Sequence, residues 1–440
     1  MKNYHRFLPR FLGAALLWLL GTAAGAAAAT LSTRLIQTGV YVNASAGVQY
    51  GYQLWQIGEP GGRTTYAIWV PADASKGPRP AVLITEPYVG LTWSGNPVDL
   101  SWASRFNPQQ FFYPDVNGPF FDSATSGSIV YSLPATDQIV PQGAVYLGNN
   151  VGVLFVFERF YAGGSIADNA KDTTLGLEFL AQQTGVDATH LGIFGSSWGG
   201  FEALYGAAGA PAGAVPAAGA ALYPPSDFSR FYQYMTYDPF NLIQNPDVLG
   251  QRLKFYDPYR RRIIAGTIAS LSPLTLNFSS FNLDYLKANL RTDFLVLQDE
   301  WDTLVPFAQS IALVATLPNR VQGLWYPHLG PPNYNTLPLG HMPVSPGLDD
   351  NSANLFTSAY LLEHLLPAGS PISIPYDSSD FRNFFAYMRS MGDSGADITS
   401  LAPRLADLSD PRVTLLDVSS SNPLPPVSGS FWVAYFLSLP

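Results

Sequence analysis

Leu191-Gly-Ile-Phe-Gly195-Ser-Ser197-Trp-Gly199-Gly200 is the stretch on which the reading of this 440-residue chain turns. Leu191 to Phe194 is an apolar run with the length of a buried strand, and Gly199 to Ala208, rich in small residues, reads as a helix. Between them stands the pattern G-x-S-x-G. Its glycines lack a Cβ, so the chain can turn sharply and expose the oxygen of one serine, Ser197. With 39 glycines in the chain, the bare pattern is expected by chance about 0.3 times. The strand before it and the helix after it give it meaning, because a nucleophile elbow is a strand-turn-helix unit.

Outward from the elbow the same rhythm repeats. Strand-like runs occur at Thr65 to Val70, Ala81 to Thr85, Val151 to Glu158, Ala217 to Leu222 and Asp293 to Gln298. Several are continuously apolar, as expected of strands buried on both faces of a mostly parallel sheet. Helical segments at Asp172 to Gln183, Gly199 to Ala208 and Pro306 to Leu317 alternate with them, so the expected fold class is α/β, a doubly wound sheet. Residues 91–145 and 224–290 interrupt the alternation as aromatic-rich, Pro-punctuated insertions that would cap the strand ends. Residues 30–369 then form the main domain, and 370–440 a C-terminal extension of unread role. Phe431 to Leu439 (FWVAYFLSL) reads as a buried last strand.

A nucleophilic serine needs a base, and the base needs a carboxylate to fix its tautomer. Of the five histidines, His5 and His190 precede the elbow, and His364 lies in an apolar helical run. His341, in the loop LPLGHMPVSPG, is the preferred base, and His328, at the end of VQGLWYPH, the second candidate. The late strand ending at Gln298 is followed by Asp299, Glu300 and Asp302. Asp302 is the preferred acid, standing just before the Val-Pro that opens the next helix, while Asp299 suits a turn or cap. The backbone N–H of Trp198, the residue after the nucleophile, is a candidate oxyanion donor.

Composition narrows the alternatives. Hydrophobic residues make up 47% and charged residues 12% of the chain, which excludes a disordered tail. Thirty-two acidic against 23 basic residues point away from nucleic acid as a partner. There is no cysteine, so disulfides and thiolate chemistry are excluded. No cluster of His and carboxylates has metal-ligand spacing, and the chemistry read from these residues uses neither metal nor cofactor. Residues 1–29, with Lys2, Arg6 and Arg10, an apolar Phe11 to Gly21 and a small-residue end at Ala26 to Ala29, read as a signal peptide for export. Its removal would leave 20 basic residues against 32 acidic ones. No other stretch approaches membrane length, so stable insertion of the mature chain is not expected.

GSSWGG, LVLQDEWDTLVP and Gly340-His341 resemble the α/β-hydrolase superfamily. Within it, Glu86-Pro87-Tyr88 after one strand and Glu158 to Ser165 after the next are similar to the cocaine-esterase and X-prolyl dipeptidyl-peptidase group. That resemblance implies that Tyr88 supplies the second oxyanion donor through its hydroxyl; a backbone N–H near Glu86 or Tyr88 would serve equally. The chain departs from the group at Trp198, where tyrosine is usual, and at Phe160-Tyr161, and it lacks length for the group's C-terminal β-domain. The expectation is an exported serine hydrolase that cleaves a small carboxylic ester through an acyl-enzyme. An aminopeptidase or dipeptidyl peptidase, holding a substrate amine on Glu86, Glu158 or Glu202, is the alternative, followed by a noncatalytic binding protein of the same fold.

Overall fold

Nine strands hydrogen-bond into one sheet in the computed structural model, which describes residues 31–43, 48–62, 64–85, 140–158, 165–237, 278–300, 302, 305–326, 350–418 and 423–438. The chain begins with β1 (Ser32–Asn43), β2 (Val48–Gly58), β3 (Thr64–Val70) and β4 (Arg79–Thr85), then α1 (Val140–Gly148) and β5 (Gly152–Phe157). Next come α2 (Ile166–Ala181), β6 (Val186–Ser196), α3 (Trp198–Gly209), β7 (Ala218–Leu222), α4 (Phe228–Tyr237) and α5 (Leu283–Asn289). They are followed by β8 (Asp293–Asp299), α6 (Ala308–Thr316), β9 (Val321–Tyr326) and α7 (Asp350–Leu365). The C-terminal part holds β10 (Ile372–Tyr376), α8 (Ser378–Asp393), α9 (Leu401–Leu408), β11 (Val413–Asp417), β12 (Val427–Ser428) and α10 (Gly429–Ser438).

The strand order is β1-β2-β3-β5-β4-β6-β7-β8-β9. From β5 through β9 every pairing is parallel, whereas β1–β2, β2–β3 and β3–β5 are antiparallel. The continuous apolar runs follow from this arrangement, because each parallel strand feeds two cores at once. Val82 and Ile84 of β4 join a cluster with α1 and α7, while Ala81 and Leu83 join one with α2, α3 and α6. A parallel sheet covered by helices on both faces, with its nucleophile candidate at a strand end, is the α/β-hydrolase fold.

Helix α2 begins six residues ahead of its sequence-based start at Asp172. Ser165 and Asp168 form a capping box there, the serine oxygen accepting from Asp168 N–H and the Asp168 carboxylate from Ser165 N–H. The edge hairpin β1–β2 has no counterpart among the strands expected from sequence. Of the segment read as a buried last strand, Phe431 to Leu439, the described residues Phe431 to Ser438 are instead part of helix α10. Trp432 and Val433 turn inward while Phe431, Tyr435 and Leu437 stay exposed, so a one-sided helical face, not a two-sided strand, accounts for the apolar run. The C-terminal residues are integrated with the domain: β10, β11 and β12 form a small second sheet whose Ile372, Ile374, Val413 and Leu415 share the core under α7.

Candidate active site

Ser197 sits between the last residue of β6 and the first of α3, with φ 55° and ψ −120°. Positive φ is uncommon for a residue with a side chain and costs about 1–3 kcal/mol, so the surroundings must impose it. They do so from both sides. Ser197 N–H donates to Leu222 O of the neighbouring β7 at 2.8 Å, and Ser197 O accepts the first helical bond from Phe201 N–H at 3.2 Å. The turn is tight enough that a Cβ on Gly195 would overlap the Gly199 carbonyl and the Thr85 hydroxyl. On Gly200 a Cβ would come within 3.1 Å of Leu222 O. Thr85, the last residue of β4, donates its hydroxyl to Gly199 O at 2.8 Å and so ties the end of β4 to the elbow. Tyr223, directly after Leu222, also has positive φ. Two of the three positive-φ non-glycine residues among the described residues thus sit at the neighbouring ends of β6 and β7, and such strain is common at functional sites.

The side chain of Trp198 is buried in the core. Its indole N–H donates to Asn169 Oδ1 of α2 at 3.1 Å, and its ring meets Phe201 and Phe228 edge-on at 5.0 and 5.6 Å between centroids. Phe228 of α4 and Phe281 before α5, at the described ends of the 224–290 insertion, pack with Phe201 and Tyr205 of α3. Glu158 and Glu202 are sealed in the same region, 2% and 0% exposed. Glu158 Oε1 accepts from Thr173 Oγ1 at 3.2 Å.

Asp302 lies three residues beyond β8 and is 6% exposed. Its N–H donates to Asp299 O at 3.2 Å, closing a turn. Its Oδ1 accepts from Val305 N–H at 2.9 Å and its Oδ2 from Gln298 Nε2 at 3.1 Å. Such donors favour the ionised carboxylate. Asp299 is the buried last residue of β8, paired with Tyr326 of β9. The ends of β6 and β8 are separated by β7 alone, so Ser197 and Asp302 emerge from strands about 9–10 Å apart, a gap that one imidazole can bridge. Strand β9 runs parallel to β8 and ends at Tyr326, which pairs with Asp299. His328, His341, Glu86 and Tyr88 lie outside the described residues.

The two described histidines are His190 and His364. His190 Nδ1 lies 2.9 Å from Asp187 Oδ2 at the far end of β6, beside a cavity of about 340 Å³ that Arg79 and Ser373 also line, away from Ser197. His364 Nδ1 meets Tyr360 O within α7 at 2.7 Å. Among the described residues no group of three or more His, Asp or Glu could hold a metal ion. Gln298 and Asn169 were missed by sequence reasoning. The available signal for Gln298 was a lone amide closing an otherwise apolar strand.

The strand order, the strained serine and the buried acid two strands away are those of the α/β-hydrolase fold. Sequence comparison points the same way: residues 167–326, from α2 through the elbow and Asp302 to the end of β9, match the prolyl oligopeptidase family. No curated protein matches the chain. Solved structures similar to it include a puromycin-hydrolysing peptidase of Mycobacterium tuberculosis, at 14% identity and a TM-score of 0.46 over 74% of this chain and 41% of that one. Acetyl xylan esterase 1 of Thermoanaerobacterium sp. JW/SL YS485 is 14% identical with a TM-score of 0.40, over 75% and 88%. Dipeptidyl peptidase 4 of Porphyromonas gingivalis is 12% identical with a TM-score of 0.41, over 74% and 35%. The chain spans less than half the length of the two peptidases.

Proposed function

We propose that this serine hydrolase cleaves small carboxylic esters through an acyl-enzyme. Ser197 attacks the carbonyl, His341 takes its proton and later returns it to the leaving alcohol, and Asp302 holds the imidazole in the required tautomer. The developing oxyanion is met by Trp198 N–H and by a donor from the loop after β4, where Tyr88 stands. Water, activated by the same histidine, then releases the acid. The observation that carries the reading is the forced positive φ of Ser197 with a buried, doubly hydrogen-bonded Asp302 two strands away.

The burial of two of the three candidate amine-binding carboxylates supports an ester over an aminoacyl peptide. An exopeptidase must offer a carboxylate to the substrate ammonium, yet Glu158 and Glu202 are enclosed between the sheet, α2 and α3 and do not reach solvent. Peptide hydrolysis is the second reading, favoured by the match to the prolyl oligopeptidase family and by the likeness of Glu86-Pro87-Tyr88 to the X-prolyl peptidase group. The two are separated by measuring kcat/KM for neutral p-nitrophenyl esters and aminoacyl p-nitroanilides side by side. Faster esters are expected; better anilides, selectively lost in Glu86→Gln or Glu158→Gln, would establish the peptidase reading. His341→Ala should abolish activity and His328→Ala should spare most of it, and the reverse would move the base to His328.

The reading includes export after removal of residues 1–29, supported by the basic start, apolar core and small-residue end of that segment. No helix of the described residues is long and apolar enough to cross a membrane. N-terminal sequencing of secreted protein should begin near Thr30; an intact leader would favour an anchor.

A further inference from the structure

Gln298 is the next-to-last residue of β8, 1% exposed, in a strand whose neighbours Phe294 to Leu297 are all apolar. A primary amide buried this way must place two N–H donors and one acceptor oxygen or lose several kcal/mol of hydration. Here all three are placed. One N–H goes to Asp302 Oδ2 at 3.1 Å and the other to Val305 O at 2.6 Å, while Oε1 accepts the hydroxyl of Ser310, itself fully buried in α6. Turned over, the amide would set its oxygen against a carboxylate and a carbonyl, neither of which can donate, so only one orientation is compatible with its surroundings.

We propose that Gln298, locked by Ser310, is a positioning residue that aims the Asp302 carboxylate at the catalytic base. This rests on the reading of Asp302 as the triad acid. The carboxylate is gripped at one oxygen by the main chain, through Val305 N–H, and at the other by Gln298. The same Gln298 amide also donates to Val305 O at 2.6 Å. Gln298 also takes up part of the carboxylate's charge. Without that donor, Asp302 rotates more freely and attracts the imidazolium more strongly, so the base becomes harder to deprotonate.

The test compares Gln298→Met, which keeps the length and loses the amide, with Ser310→Ala, which removes only the hydroxyl that fixes it. Gln298→Met should lower kcat for a p-nitrophenyl ester about 10- to 100-fold with KM changed less than about threefold, the loss expected for one charge-assisted hydrogen bond. The acidic limb of its kcat/KM profile should move to higher pH. Ser310→Ala should move both in the same direction by a smaller factor. The double variant should be no slower than Gln298→Met, because Ser310 acts through Gln298. A folded Gln298→Met with wild-type kcat and limb overturns the proposal, as does a loss confined to KM with an unmoved limb. If Gln298→Met fails to fold, Ser310→Ala decides by the same two readouts. Asp302→Asn is measured alongside: full activity there refutes the triad reading itself, whereas an inactive Asp302→Asn beside an unaffected Gln298→Met refutes only the role of Gln298.

Discussion

Asn169→Ala probes the link between the elbow and the helix behind it. Asn169 is fully buried at the contact between α2 and α3, where its Oδ1 takes the Trp198 indole N–H at 3.1 Å and its Nδ2 donates to Ser165 O at 2.7 Å. Ser165 O keeps a second bond, from Asn169 N–H at 3.0 Å, so truncation leaves that carbonyl satisfied. The indole loses its Asn169 acceptor in a closed interior, at about 1–3 kcal/mol. Removing three heavy atoms from a packed interface adds about 1 kcal/mol. The sum is a destabilisation of about 2–4 kcal/mol, read as a lower urea midpoint at unchanged m-value. Activity measured well below that midpoint should also fall, because Trp198 carries the N–H proposed as an oxyanion donor. Loss of one such donor costs about 100- to 1000-fold, so partial misdirection should cost about 3- to 30-fold in kcat. An Asn169→Ala protein within about 0.5 kcal/mol of wild type and with unchanged kcat would refute the claim that this contact fixes the elbow.

Gly195→Ala should destroy activity, since its Cβ would meet the Gly199 carbonyl and Thr85 hydroxyl; retention of esterase activity would show that the turn can relax. Glu158→Gln, in a variant that stays folded, should change KM for neutral esters by less than about threefold, as the side chain makes no contact with such a substrate. Glu363→Gln addresses pH. Burial, aided by Asp407 and Asp410, pushes the half-buried Glu363 carboxyl up to about 8, so the folded protein keeps a proton that the unfolded chain releases near 4.5. That contribution to stability is present below about pH 4.5 and is lost as pH rises toward 8. The full shift would correspond to nearly 5 kcal/mol, and solvent screening at a half-exposed site reduces it to about 1–2 kcal/mol. Urea unfolding at pH 5 and pH 8.5 should show the wild type losing that much more than Glu363→Gln, and parallel curves would count against it.

The parts of the fold that were legible in sequence are those in which burial is two-sided. The strands ending at Thr85, Ser196, Leu222 and Asp299 are apolar at consecutive positions because each faces two cores, whereas a strand with one wet face alternates. The hairpin β1–β2 carries no such signal, as Leu35 and Val40 face solvent and Thr, Gln and Tyr intervene. The misread segment at Phe431 is short and wholly apolar, where periods of 2 and 3.6 cannot be told apart. At the candidate site, Ser197 and Asp302 could be picked out from sequence because the elbow pattern and the residues before Val-Pro each place a residue type at a set distance from a strand. Asn169 and Gln298 act through partners 29 and four residues away, and side-chain networks of this kind have no periodicity to read.

The central claim is that Ser197 is a nucleophile held ready by the elbow. It is tested most directly by treating the purified protein with an organophosphonate and locating the adduct by intact mass and peptide mapping. The account expects one adduct per chain, on Ser197, and none in a folded Ser197→Ala protein that has also lost ester hydrolysis. An adduct on a different serine, or labelling and turnover that survive in Ser197→Ala, would contradict it.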